Sequence, residues 1–177
     1  MDKQQIIKMA TSFVETSEYN FISEEVALSE DVIGLKMYEA PIIGFAAADD
    51  EYFTMLKQPQ AIGRHFMLPQ EWLPQAKTVR SMFLPFTDAV KRSNREDDRW
   101  PSKEWLHARV EGQAFINKLC LFVSSELTKA GYKSLVPSLD ERFWSKAESN
   151  ERENDPIEAR KQAPSFTSNW SERHVAF

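Results

Sequence analysis

The chain has 177 residues, of which 42% are hydrophobic and 28% charged, a composition typical of one globular domain. Its net charge of -5 gives no overall signal for nucleic acid, and its mean hydropathy of -0.50, without a long apolar run, predicts no membrane span. A single cysteine, Cys120, excludes a disulfide framework and any iron–sulfur cluster held by the cysteines of one chain. No secretory signal is visible, so we expect a cytoplasmic protein.

Charge is distributed unevenly along the sequence. Residues 1–51 carry 11 acidic and 3 basic side chains, whereas residues 52–177 carry 16 acidic and 19 basic ones. A weakly basic region could suit a phosphate-bearing partner, but interspersed signs are more typical of a solvated surface. Residues 140–162 are dense in charge and lack apolar periodicity, so we expect a mobile charged insertion there.

The N-terminal region is predicted to be helical. Apolar residues such as Ile6 and Ala10 recur at helical spacing across residues 2–18, which indicates an amphipathic helix. Residues 23–28 are expected to form a short second helical turn. We therefore treat residues 1–39 as an N-terminal helical segment and residues 40–177 as the main domain.

Two apolar runs predict the first strands. Residues 41–48 are apolar without a break and stop at two aspartates, which is typical of a strand buried on both faces. Asp49 or Asp50 is then expected to cap a short helix over residues 51–57. A proline-rich loop with one turn follows, and residues 78–86 form the second strand candidate.

The longest predicted element is a helix over residues 105–130. Ser102 is placed to cap its start, and Gly131 stands where a glycine ends many helices. The charged stretch Lys91–Glu104 before it is expected to be an exposed loop. Residues 133–139 after it are a third strand candidate, although a proline weakens the pattern.

The last ten residues contain a helix start signal. Asn169 and Glu172 have the spacing of a capping box, which predicts a helix beginning after Asn169. The chain ends about two turns later. Because so short a helix is marginal in water, this ending fits either an interrupted or shortened domain or a frayed tail.

The alternation of helices and strands predicts an α/β (α+β) fold. A small, mixed and partly parallel sheet would be flanked by helices. Three strands are few for a chain of this length, so we expect the fold to be incomplete.

Few residues carry recognisable chemistry. The three histidines have no metal-ligand spacing, and no glycine-rich phosphate loop or nucleophile elbow is present. Cys120 lies within the long helix and is expected to pack in the core rather than act as a nucleophile. Arg109, Glu111 and Gln113, near His107, form either an ordinary polar surface or a ligand-facing cluster.

Four sequence segments, taken together, resemble one protein family. They are APIIGFAAADDEYF (Ala40–Phe53), LPQEWLPQAKTVRSMFLPF (Leu68–Phe86), EWLHARVEGQAFINKL (Glu104–Leu119) and FTSNWSERHVAF (Phe166–Phe177). Their order is similar to the N-terminal portion of iron–sulfur proteins akin to epoxyqueuosine reductase, which are related to reductive dehalogenases. This resemblance implies a nitroreductase-like layered domain that holds base-off cobalamin. In the family a ferredoxin-like domain with two 4Fe-4S clusters follows and supplies electrons to the cobalt.

The sequence departs from this family at functional positions. One cysteine cannot hold two clusters, so no 4Fe-4S cluster is expected in this chain. The family's proton-donating aspartate is matched by Phe166, and Asp140 is a weak substitute. The aromatic and histidine pair of the long helix is matched by Gln113 and Ala114, whereas Arg109 agrees with the family.

The resemblance implies a partial cobalamin pocket. Its residues would be Arg109 and Gln113 in the long helix and Arg173 and His174 near the C-terminus. No residue indicates a flavin, and no metal site is expected.

Two functions remain open from the sequence. The chain is either a truncated relative of cobalamin-dependent iron–sulfur reductases, not catalytic alone, or a non-catalytic interaction module. In the second case it pairs with itself, as a homodimer, or with a separate ferredoxin-like chain that carries the clusters. Neither function predicts contact with nucleic acid or membrane.

Overall fold

The computed structural model describes residues 1–148 and 165–176. Within these ranges the protein is α+β, with six α-helices and two small antiparallel sheets of two strands each. In chain order the elements are α1 (Lys3–Thr16), β1 (Ile42–Ala47), α2 (Glu51–Met55), α3 (Pro69–Trp72), β2 (Thr78–Phe83), α4 (Asp88–Ser93), α5 (Lys103–Lys129), β3 (Ser145–Glu148), β4 (Ser165–Ser168) and α6 (Glu172–Val175). Over the same ranges, no helix is both long enough and apolar enough to cross a bilayer.

The chain divides into two compact units, each made of two segments. Unit 1 comprises Met1–Gly44 and Arg80–Val136, and unit 2 comprises Phe45–Val79 and Pro137–Phe177. The predicted division at residue 40 stays a prediction.

The two longest helices of unit 1 form where the sequence predicts them. Asp2 and Gln5 make a reciprocal capping box at the start of α1, and the Ser102 side chain accepts from the Trp105 amide at the start of α5. Gly131 has a φ of 84°, the left-handed conformation that ends a helix with least strain. The apolar faces of α1 and α5 pack together in unit 1, so periodicity and caps together account for this core.

The core of unit 1 also contains irregular chain between α1 and β1. The predicted turn at residues 23–28 is present as a single turn, with the amides of Val26 and Ala27 both donating to the Ser23 carbonyl. Two short 3₁₀ turns lie on either side of it. Buried side chains of unit 1 include Ile6, Ala10, Val14, Ile22, Val32, Met37, Tyr38, Val90, Ala108, Phe115, Leu119 and Val123.

The sheet predictions are wrong in three respects. β1 and β2 pair antiparallel, so the expected mixed, partly parallel sheet is not what the described residues form. β1 is not buried on both faces, since Ile42 is 63% exposed. The third strand candidate forms no strand. It ends in the 3₁₀ turn Pro137–Leu139, and Ser134 donates to the Ser124 carbonyl instead of joining a ladder.

Two charged stretches also differ from prediction. Lys91–Glu104 is not all loop, because α4 includes its first three residues and α5 begins at Lys103. In the predicted insertion at 140–162, residues 145–148 form β3, which pairs antiparallel with β4. Residues 149–162 lie outside the described residues.

Unit 2 is built from short elements around aromatic side chains. Asp50 caps α2 by accepting from the Tyr52 amide, as predicted, and a proline opens α3 within the predicted turn. The rings of Phe66 and Trp170 stack with centroids 5.5 Å apart, and Trp72 meets Trp170 edge-on. These three rings are buried, together with Ala48, Phe53 and Leu56.

The predicted role of Asn169 is wrong. Helix α6 begins after Ser171, which makes no side-chain cap, and the Asn169 side chain points elsewhere. Its Oδ1 accepts from the Trp144 amide at 3.0 Å, and its Nδ2 donates to the Arg142 carbonyl at 2.8 Å. Asn169 is 2% exposed, so it serves as a buried link between two backbone segments instead of a helix cap.

Candidate functional site

The outer face of α5 is the surface on which two predicted site residues lie side by side. The opposite side of this helix is buried through His107, Ala108, Gly112, Phe115, Leu119 and Val123. After Lys103 at its start, the exposed residues in the first half of the helix are Leu106, Arg109, Val110, Gln113 and Ala114, and we call these five the α5 outer face. Arg109 and Gln113 are one turn apart, the spacing that places two side chains on the same side of a helix.

This face is unusually apolar for a solvated helix. Val110 is 65% exposed and lies between Arg109 and Gln113, and Leu106 and Ala114 extend the apolar surface by one turn in each direction. Arg109 is the one charged residue of the five. The Gln113 amide donates to Asn117 Oδ1 at 3.1 Å, which holds it along the helix. The face is convex helix surface and not a pocket.

Tyr38 supports α5 directly beneath Arg109. Its hydroxyl donates to the Ala108 carbonyl at 2.6 Å. Burial raises the pKa of the Tyr38 hydroxyl to about 12, although the positive charge of Arg109 lowers it in part. A Cβ on Gly112 would lie 2.5 Å from the same hydroxyl, so this mid-helix glycine allows Tyr38 to approach. The sequence analysis singled out neither residue.

His107 is a structural side chain in this arrangement. Its Nε2 accepts from the Leu28 amide at 3.1 Å, so the ring proton is on Nδ1 and is donated to Glu111 Oε2 at 2.9 Å. His107 is 3% exposed. Glu111 therefore pairs with His107 beneath the face. Of the three polar residues predicted as a cluster near His107, Arg109 and Gln113 are exposed and Glu111 is only half-exposed.

The other two predicted pocket residues belong to unit 2. Arg173 and His174 are adjacent and exposed on the four-residue helix α6. His174 Nδ1 lies 2.7 Å from Ser171 Oγ, a hydrogen bond within the turn. The structure thus brings together Arg109 with Gln113 in unit 1 and Arg173 with His174 in unit 2.

Asp140 is engaged in an ion pair. Its two carboxylate oxygens accept from Arg142 Nε at 2.7 Å and Nη2 at 3.0 Å. These bonds lower the pKa of Asp140 from 3.8 to about 2. Arg142 also donates to the carbonyls of Glu71 and Trp72. A carboxyl with so low a pKa is ionised at neutral pH and is poorly suited to donate a proton.

Arg80 is a cation that the sequence analysis passed over. Its Nε is buried and has no hydrogen-bond partner among the described residues. Burial lowers the pKa of the guanidinium, and Cys120 raises it in part. Cys120 itself is half-buried on α5, not fully within the core. Among the residues that the structure describes, no three side chains of the metal-binding types come together.

The chain was compared with protein-family models, curated proteins and solved structures, and none of them matches it.

Proposed function

We propose that this protein is a non-catalytic binding module in which the α5 outer face pairs with a second copy of the chain. The observation that supports this proposal is the 65% exposure of Val110 at the centre of a face with one charged residue. An exposed helix surface of this kind, apolar in the middle and polar at its edges, is typical of protein interfaces.

A two-fold axis through Val110 makes the face complementary to itself. In that antiparallel pairing each Val110 meets its counterpart, and Leu106 packs against Ala114 of the second copy. Arg109 and Glu111 lie on opposite sides of Val110 around the helix, so in this pairing they fall at the two polar edges of the face, and Glu111 keeps its bond to His107.

The pairing is expected to be of modest affinity. One helix face covers less than the roughly 800 Å² per partner that stable interfaces bury, so we expect a micromolar dissociation constant. Sedimentation velocity over a range of concentrations should show wild-type protein dimerising at about 100 μM. A wild-type monomer at that concentration would contradict homotypic pairing.

Two variants test whether the α5 outer face carries the pairing. Val110→Glu places two like charges at the centre of the proposed interface and should give a monomer throughout the concentration range. Met55→Glu is the matched control, since Met55 is a 58% exposed apolar residue on α2 in unit 2. We expect it to dimerise like wild type. Dimers of Val110→Glu would exclude this face.

A second candidate function is favoured by one observation, the placement of Arg109 and Gln113 on the same exposed side of α5. It is the cobalamin-binding function implied by the resemblance to epoxyqueuosine reductase-like proteins, on a nitroreductase-like scaffold. Cobalamin carries amide side chains that an arginine and a glutamine can bind through hydrogen bonds. The chain would hold the cofactor without reducing it alone, because one cysteine cannot anchor the iron–sulfur relay.

A spectroscopic titration separates these candidates. Cobalamin bound base-off should give a yellow-shifted absorption spectrum with excess protein, and the shift should weaken in Arg109→Ala. No shift at high protein concentration would rule out this cofactor site and leave the interaction function. A shift that persists in Arg109→Ala would place any cofactor elsewhere.

A further inference from the structure

A separate groove in unit 1 combines aromatic rings with charged side chains. It lies between the end of α1, the 3₁₀ turn at residues 18–20 and the second half of α5, and its volume is about 690 Å³. The groove is shallow and largely open to solvent, so a ligand would lie along its surface. None of its lining residues belongs to the α5 outer face.

The floor of the groove is apolar. The rings of Phe13 and Phe122 stack there with centroids 4.5 Å apart, and Leu121 beside them is 57% exposed. Tyr19 forms one wall and is also well exposed. An aliphatic chain laid along this floor would remove apolar surface from water, the main source of affinity for such ligands.

One cation in the groove is available to an anion. Lys118 Nζ lies 3.8 Å from the centroid of the Tyr19 ring, a cation–π contact that leaves its N–H groups able to donate. Lys118 is in none of the ion pairs of the described residues. The other lysine, Lys129, is paired with Glu126 at 2.6 Å, so that pair is neutral overall. Glu18 also lines the groove and would oppose an anion.

We propose that this groove binds an aliphatic monocarboxylate, with the chain on Phe13, Leu121 and Phe122 and the carboxylate at Lys118. An apolar floor beside one unpaired ammonium fits a molecule with one long apolar part and one negative charge. The ligand class follows from charge and shape together, since the floor alone would accept any apolar chain.

The test compares two probes with the same chain and opposite head groups. Decanoate should bind, as followed by calorimetry or intrinsic fluorescence, and decyltrimethylammonium should bind at least about tenfold more weakly. Equal binding of the two probes would show an unselective apolar patch and overturn the proposal. Failure of decanoate to bind at about 1 mM would overturn it too.

Single substitutions locate the head group. Lys118→Met should weaken decanoate binding about fivefold, and Lys118→Arg should restore most of it. Glu18→Gln should strengthen binding about twofold by removing the opposing charge. The matched control is Lys8→Met, a lysine on α1 that does not line the groove, and it should leave affinity unchanged. An unchanged affinity in Lys118→Met would overturn the assignment.

The groove and the α5 outer face can be tested independently. Val110→Glu should bind decanoate as wild type does, whether or not the wild-type protein dimerises. Loss of decanoate binding in Val110→Glu would contradict the separation of the two sites.

Discussion

Among the described residues, each of the two compact units contains one buried asparagine whose side chain bonds to backbone groups. In unit 1, Asn20 Nδ2 donates to the carbonyls of Val14 and Tyr38, and Oδ1 accepts from the Tyr38 amide, all at 2.9 Å. In unit 2, Asn169 links the backbones of Trp144 and Arg142 and also approaches Met67 Sδ. Both side chains satisfy polar groups that burial would otherwise leave without partners.

The surroundings of the two asparagines differ. Asn20 lies beside the packed helices α1 and α5, where it bonds to one of the last carbonyls of α1, a group with no partner within the helix. Asn169 lies among short elements, in a unit whose buried apolar side chains include Phe53, Phe66, Trp72 and Trp170. Both units thus use one asparagine to join separate backbone segments, beside long helices in unit 1 and among short elements in unit 2.

The largest effect is expected for Asn20→Ala. It removes three hydrogen bonds to buried backbone groups and should lower the free energy of unfolding by about 3–4 kcal/mol. Urea unfolding followed by circular dichroism measures this loss. Asn117→Ala is the control, because Asn117 is only half-buried on α5 and should change the value by less than about 0.5 kcal/mol. A loss below about 1 kcal/mol for Asn20→Ala would contradict a structural role for Asn20.

Asn169→Ala should have the next largest effect. Two buried backbone groups lose their partners, which corresponds to about 2–3 kcal/mol. Hydrogen exchange can resolve the two units, and we expect faster exchange at residues 142–144 while α1 and α5 keep their protection. An equal increase in amide exchange rates in both units would show that they unfold together and would contradict their separate stability.

The sequence predicts these two units unequally well. The bounds of α1 and α5 follow from local signals, namely apolar spacing, the Ser102 cap and Gly131, and the observed ends differ from prediction by about two residues. Such signals involve residues that are neighbours in the chain, so one sequence is enough to find them.

The errors concern contacts between distant residues. Asn169 and Glu172 have the spacing of a capping box, but Asn169 bonds instead to Trp144, 25 residues away. The third strand candidate has a strand-like pattern, yet the hydroxyls of Ser124 and Ser134 bond at 2.7 Å beside α5. No local pattern reports such partners, because residues far apart in the sequence meet only in the folded chain.

The candidate site is also predicted only in part from the sequence. The spacing of Arg109 and Gln113 is enough to place them on one side of a helix, and this arrangement is observed. The burial of His107 and its bond to Leu28 depend on a segment 79 residues earlier in the chain. The sequence therefore indicates which residues share the α5 outer face but not which polar neighbours lie beneath it.

Gly112→Ala tests the close packing that distinguishes unit 1. Alanine favours a helix by about 1 kcal/mol over glycine, but its Cβ would meet the Tyr38 hydroxyl at 2.5 Å and displace it from Ala108. We expect a net loss of about 1–2 kcal/mol in the free energy of unfolding. Gly44→Ala is the control, because a Cβ there meets nothing within 4 Å, and it should not destabilise. Equal effects of the two substitutions would contradict this packing.

The smallest effect concerns the exposed ion pair of unit 2. The folded-state pKa of Asp140 is lowered to about 2, so its pairing with Arg142 stabilises the fold above about pH 4 and is lost as pH falls toward 2. Carbonyl chemical shifts of Asp140 should titrate with a midpoint near 2 in wild type and closer to 3.8 in Arg142→Gln. A wild-type midpoint at or above 3.8 would contradict the pairing with Arg142. With the low midpoint, its carboxylate keeps a negative charge throughout the physiological range and can only orient Arg142.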